Sequence, residues 1–199
     1  MLKNKIYGGR FMAIKIYIDQ GHNPQSPNAG AEGNGLVEQD LTYKIGIILA
    51  DLLRQNGNFE VRLSRPTAET SLGTSNATSL RARVDDANSW GADYFISLHA
   101  NASSNSSVSG SEALVYSQPS TASELATDIL YWMNRITGLR NRGVITRKGL
   151  YVLRKTAMPA VLVEMGFISN PSDAALMNNN PALFAEGIYN GILDFTGLL

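Results

Sequence analysis

The sequence predicts an α/β fold: one domain whose mostly parallel central sheet, of about six strands, carries helices on both faces. Three observations predict it. Short β-branched runs alternate with helical apolar stripes along the chain, as strand–helix–strand units require. The run from Asp93 to Leu98 reads apolar on both faces, which suits a central strand. The length of 199 residues, with 44% hydrophobic and 17% charged content, allows one sizeable core.

Taken in order, Ile14 to Ile18 alternates and is β-branched, a first strand that runs into the turn-rich Asp19-Gln20-Gly21-His22-Asn23-Pro24. Between Gln39 and Asn56, Leu41, Ile45, Ile48, Leu49, Leu52 and Leu53 fall on one helical stripe, closed by Asn56-Gly57. Phe59 to Ser64 is the second strand, residues 65–79 a polar loop, and Leu80 to Ser89 a short helix. The central strand follows, and then the Ser/Asn/Gly-rich stretch from Asn101 to Gly110, expected to be a mobile surface loop. Glu112 to Tyr116 is a strand, and Thr121-Ala122-Ser123-Glu124 has the pattern of a capping box that opens a helix. Leu150 to Arg154 and Ala160 to Met165 complete the strands. Asn180-Pro181 opens the last helix, with Phe184, Ile188 and Ile192 inward.

Composition narrows the function classes. Seventeen basic residues balance seventeen acidic ones, so the chain lacks the Lys/Arg excess of a nucleic-acid binder and offers no pull toward anionic membranes. No apolar run is long enough to span a bilayer, and no apolar stretch follows the basic first residues as a signal peptide would require. Residues 1–12 are read as an N-terminal extension, disordered or vector-derived, and residues 13–199 as the functional domain. With zero Cys, disulfides, thiol nucleophiles and thiolate metal sites are excluded. No G-x-S-x-G, Walker A or G-x-G-x-x-G pattern supports a serine hydrolase, nucleotide hydrolase or dinucleotide enzyme.

Chemistry then has few places to collect. In open α/β sheets ligands bind beyond the carboxyl ends of strands. Both histidines of the chain fall there, His22 four residues past the first strand and His99 at the end of the central one. Each is either a satisfied polar residue or a metal ligand. Glu164 sits among Val161, Leu162, Val163, Met165 and Phe167, so it is at least partly buried. Two readings stand for it: an ion pair with Arg147 or Arg154, or a general base facing a cation. A zinc site needs a third protein ligand. Glu38, at the first turn of the 39–56 helix, is the best candidate, because the positive helix end keeps its carboxylate ionised. Asp19, Asp40 and Asp93 are alternatives, with Asp19 read as a residue behind the ligands or in the turn.

The ordered series Asp19-Gln-Gly-His22, Gly30-Ala-Glu-Gly33 with Glu38 and Leu41, Ser64-Arg65, Leu80-Arg-Ala-Arg83 with Ala87-Asn88, Gly91 to Asn101, Gly110-Ser-Glu112, Arg142-Gly-Val144 and Met158 to Asn170 resembles the zinc-dependent N-acetylmuramoyl-L-alanine amidases. The resemblance covers about residues 14–199. It implies one Zn²⁺ per chain on His22, Glu38 and His99, with Glu164 as the catalytic glutamate. It also implies peptidoglycan as the partner, with no nucleic acid, no membrane insertion and a monomeric enzyme working at the bacterial cell wall. Delivery without a visible signal peptide would be by lysis or as a fragment of a larger exported protein. Two departures stand out. Asn23-Pro24 replace the glycines that usually follow the first Gly-His, and the stretch from Asn101 to Ser111 is too short for the inhibitory helix some members carry, which predicts an open site. A zinc peptidase cutting elsewhere in the stem peptide, and an inactive wall-binding module, are the rival readings.

Overall fold

A computed structural model describes residues 13–199 and, before them, the backbone of a two-stranded antiparallel ladder, β1 (Ile6–Tyr7) with β2 (Arg10–Phe11). The expectation of a disordered or vector-derived extension over residues 1–12 otherwise lies outside the described residues. The body of the chain runs β3 (Ile14–Gln20), β4 (Glu32–Gly33), β5 (Leu36–Val37), α1 (Glu38–Asn56), β6 (Phe59–Leu63), α2 (Asn76–Trp90) and β7 (Tyr94–Asn101). It continues with β8 (Ser111–Val115), α3 (Thr121–Thr137), β9 (Asn141–Thr146), α4 (Tyr151–Lys155), β10 (Ala160–Phe167), α5 (Pro171–Asn179) and α6 (Pro181–Thr196).

Six strands form the central sheet in the order β6-β3-β7-β10-β8-β9. The pairs β6/β3, β3/β7, β7/β10 and β8/β9 are parallel, and only β10/β8 is antiparallel. The α/β, mostly parallel architecture is therefore the one the sequence predicts.

Alternation along each central strand divides the core in two. Ile16 and Ile18 of β3, Ile96 and Leu98 of β7, and Val161 and Val163 of β10 join one buried cluster with α1, α3 and α6. Tyr17, Phe95 and Leu162 turn to the other face and pack with Val84 and Ala87 of α2 and Val152 and Leu153 of α4. On the first face α3 and α6 approach so closely that a Cβ on Gly191 would run into the Ile129 Cα. Only glycine fits there.

Several element boundaries differ from those expected. Leu150 to Arg154 does not form a strand: α4 occupies it, and the strand belongs instead to Asn141–Thr146. A five-residue helix is too short to show a 3.6-residue period, and β9 is a half-exposed edge strand interrupted by Gly143 at φ 92°, so it lacks clean alternation. The α3 capping box is formed by Ser120 and Ser123, one residue ahead of the expected motif. Helix α2 begins at Asn76 rather than Leu80, behind a Ser75–Thr78 capping box. The loop at 102–110, expected to be mobile, is tied down: Asp173 of α5 accepts the Ser109 hydroxyl at 2.6 Å and the Gly110 N–H at 3.0 Å.

Candidate metal centre

Three elements deliver three side chains to one point. Strand β3 ends at Gln20, and Gly21 and His22 continue past the carboxyl edge of the sheet. Gly21 is dictated by crowding, because a Cβ there would lie 2.5 Å from Cε1 and 2.6 Å from Nε2 of the His99 ring. His22 has a left-handed backbone, φ 71°, which costs a residue with a Cβ roughly 1–2 kcal/mol and so must be held by its surroundings. Glu38 is the first residue of α1, where the free N–H groups of the helix end favour a carboxylate. His99 lies two residues before the end of β7.

Ligand atoms from His22, Glu38 and His99 all lie within 4.8 Å of one another, the arrangement of a metal-binding cluster. The two Glu38 oxygens divide the work. Oε1 lies 3.0 Å from His99 Nδ1 and accepts the Ala100 N–H, while Oε2 lies 3.1 Å from His22 Nε2 and accepts the Ala31 N–H. Burial alone would raise the Glu38 carboxyl, but the bonds to His22 and His99 outweigh it and hold it well below the usual carboxylate range. Burial lowers His99 in turn, and the Glu38 hydrogen bond with the Glu164 and Glu38 charges raises it above the ordinary histidine value. His22 Nδ1 is buried and has no hydrogen-bond partner. Two imidazoles around an ionised carboxylate, with one ring nitrogen orphaned, fit a divalent cation of borderline softness.

Glu164 faces the same place from the neighbouring strand. It is the Cα register partner of His99 on β7 and of Glu112 on β8. Its Oε2 is buried with no partner. Burial pushes the carboxyl up to about 7, with the charges of Glu38 and Glu112 adding to the rise and His99 opposing it. The ion pair with Arg147 or Arg154 does not form. Arginine is placed instead on Glu112, whose Oε2 lies 3.1 Å from Arg142 Nε and whose Oε1 accepts the Asn101 side-chain N–H at 3.0 Å.

The alternative acids lie outside the cluster. Asp19 is fully buried and paired with Arg83 at 2.6 Å, and its other oxygen accepts the Ser97 hydroxyl at 2.7 Å. Burial would raise it, but the Arg83 and Ser97 contacts hold it below the usual range. Asp40 is exposed on α1, and Asp93 precedes β7 at the opposite end from His99. A small cleft of about 110 Å³ opens beside the two histidines, bordered by Leu80, Leu150, Tyr151 and Leu162. Sequence reasoning gave no role to Arg83. The available signal was a charged residue inside the apolar stripe of α2, beside Val84 and one turn before Ala87, where a lone guanidinium needs buried acceptors.

An α/β sheet with a His–Glu–His cluster and a half-buried glutamate at its carboxyl edge is an arrangement that fits a metal-dependent hydrolase. The family model described as N-acetylmuramoyl-L-alanine amidase matches residues 16–194, and the chain belongs to that family. It is 37% identical over 183 residues to the N-acetylmuramoyl-L-alanine amidase CwlM of Bacillus licheniformis, covering 90% of this chain and 67% of that protein. It is 36% identical over 202 residues to LytC of Bacillus subtilis, covering 98% of this chain but only 37% of that longer protein. The catalytic domain of the amidase CwlV from Bacillus (Paenibacillus) polymyxa superposes with a TM-score of 0.81 at 30% identity, covering 94% of this chain and 99% of that one.

Proposed function

We propose that this chain hydrolyses the amide joining N-acetylmuramic acid to L-alanine in peptidoglycan, with Zn²⁺ held by His22, Glu38 and His99 and with Glu164 as the general base. The observation that carries the reading is the convergence of the three ligand atoms within 4.8 Å, with Glu164, whose buried Oε2 has no hydrogen-bond partner, on the neighbouring strand. Family membership supplies the substrate class: cell-wall peptidoglycan.

The chemistry zinc supplies when bound is Lewis acidity toward a carbonyl oxygen and toward water. Glu38 is suited to holding it because its bonds to His22 and His99 keep the carboxyl ionised and two backbone N–H groups orient it, so the ligand needs no proton removed near neutral pH. Glu164 takes the proton of the attacking water on its carboxylate as the new carbon–oxygen bond forms. It returns that proton to the amide nitrogen as the carbon–nitrogen bond breaks. The products are a lactyl carboxylate on the glycan and a free amino group on the peptide. Leu80, Leu150 and Tyr151 border the cleft beside the histidines and keep bulk water from one side of the reacting amide. No helix separates β7 from β8 among the described residues, which supports a site that stands open to the wall. We take the working unit to be a monomer.

Mass spectrometry of fragments released from purified cell walls tests the reading. The expected products are stem peptides with a free alanine amino terminus and glycan strands that retain the lactyl acid. New termini elsewhere in the stem would make the chain a peptidase, and no release would make it a binding module.

A further inference from the structure

Arg83 is the most heavily engaged side chain near the metal cluster, and it touches none of the three candidate ligand side chains. It is 1% exposed. Its Nη1 donates to Asp19 Oδ1 and the Gln20 carbonyl, both at 2.6 Å, with Ser64 Oγ at 3.3 Å. Its Nη2 donates to the His22 carbonyl at 2.6 Å and to Asn23 Oδ1 at 3.2 Å. One rigid guanidinium thus grips the end of β3 with one nitrogen and the first two residues beyond Gly21 with the other.

We infer that Arg83 is the positioning residue that holds His22 in its metal-binding pose. His22 has φ 71°, a conformation a non-glycine residue leaves unless its surroundings fix it. The carbonyls on each side of this kink are both captured, that of Gly21 by the Thr42 hydroxyl at 2.9 Å and that of His22 by Arg83. Thr42 fixes the turn to α1, the helix that carries Glu38. Arg83 fixes it to α2 and, through Asp19 and Ser97, to β7, the strand that carries His99. The imidazole of His22 has its own contact to Glu38, while its carbonyl is held by the fork. This role of Arg83 rests on His22, Glu38 and His99 being the metal ligands proposed above.

The test measures Zn²⁺ dissociation constants by chelator competition, visible spectra of the Co²⁺-loaded protein, and thermal unfolding of the metal-free protein. Arg83→Lys keeps the buried charge for Asp19, but its single ammonium cannot span both arms of the fork. It should weaken Zn²⁺ binding about 10–100-fold and alter the Co²⁺ spectrum, because residues that orient a ligand act on affinity at that scale. Gly191→Ala, which crowds the distant contact of α3 with α6, should lower the unfolding temperature while leaving affinity and spectrum unchanged. If Arg83→Lys does not fold, Arg83→Met combined with Asp19→Asn, which removes both buried charges together and releases the His22 carbonyl, should loosen Zn²⁺ in the same direction. Parental affinity and spectrum in Arg83→Lys, or in the double variant where it stands in, overturn the inference. Loss of affinity in Gly191→Ala that tracks its lost stability also overturns it, since any destabilisation would then serve. A parent chain that binds no Zn²⁺ removes both this inference and the ligand reading, whereas a parent that binds normally beside an unaltered Arg83→Lys removes this inference alone.

Discussion

Burial pushes the Glu164 carboxyl up to about 7, Glu38 and Glu112 push the same way, and only His99 pulls it down. In the metal-free chain the folded state therefore holds this proton more tightly than the unfolded state does. Stability is lost as pH rises from the ordinary carboxylate range through about 7, and the loss stays constant above it. Glu164→Gln removes the buried charge at nearly constant volume. The metal-free variant should be more stable than its parent by roughly 3 kcal/mol at pH 8 and no more stable at pH 4, read from urea midpoints at the two pH values. Equal midpoint differences at both values would mean that Glu164 is not strained by its charge. The same variant should retain metal yet lose ~10²–10⁴-fold in turnover, because an amide cannot accept the water proton. If metal is lost with activity, Glu164 is a ligand and the proposed division of roles fails.

At the scale of elements, the contact of α3 with α6 depends on one missing methyl group. Gly191→Ala should cost about 1–3 kcal/mol, net of the helix propensity alanine brings, by denaturant titration. A more stable variant would mean the helices can separate at little cost. Nothing in the local sequence announced this glycine, because its reason lies on another helix. The long amphipathic elements were legible: the Leu41–Leu53 stripe is α1, and the run apolar on both faces is the central β7. The short ones were not. Tyr151–Lys155 has too few residues to show a period, and its apolar Val152 and Leu153 suit a strand as well as a helix. Strand β9 hides because it lies at the sheet edge, where one side faces water and selection for alternation is weak. Within the site, His22, His99, Glu38 and Glu164 stood out because few residues could serve. Arg83 did not, since its role rests on main-chain oxygens of Gln20 and His22 that composition cannot reveal.

For the molecule as a whole, the two apolar clusters that bury the sheet faces are complete without the metal site, so the fold should survive its removal. Chelation should abolish hydrolysis while leaving far-ultraviolet dichroism unchanged. Zn²⁺ at a thousandfold excess over its dissociation constant should raise stability by ~4 kcal/mol, seen as a concentration-dependent unfolding temperature. Collapse of the dichroism on chelation would contradict a core independent of the site. Protons compete with the metal for the same nitrogens. In the metal-free chain burial lowers His99, but the Glu38 hydrogen bond and its acidic neighbours raise it on balance, so competition begins above the ordinary histidine range. His99 must give up that proton for metal to bind, and His22 must also be neutral. Metal uptake near neutral pH should therefore release protons, and activity should fall on the acid side as metal leaves. If two protons displace one ion, each tenfold rise in free Zn²⁺ moves that acid limb down by about half a pH unit, a consequence of the linked equilibrium. A limb that stays fixed as Zn²⁺ is added would assign the loss to protonation of Glu164, whose base form is also required. The two causes separate in a single set of pH profiles, because only one of them depends on how much metal is in solution.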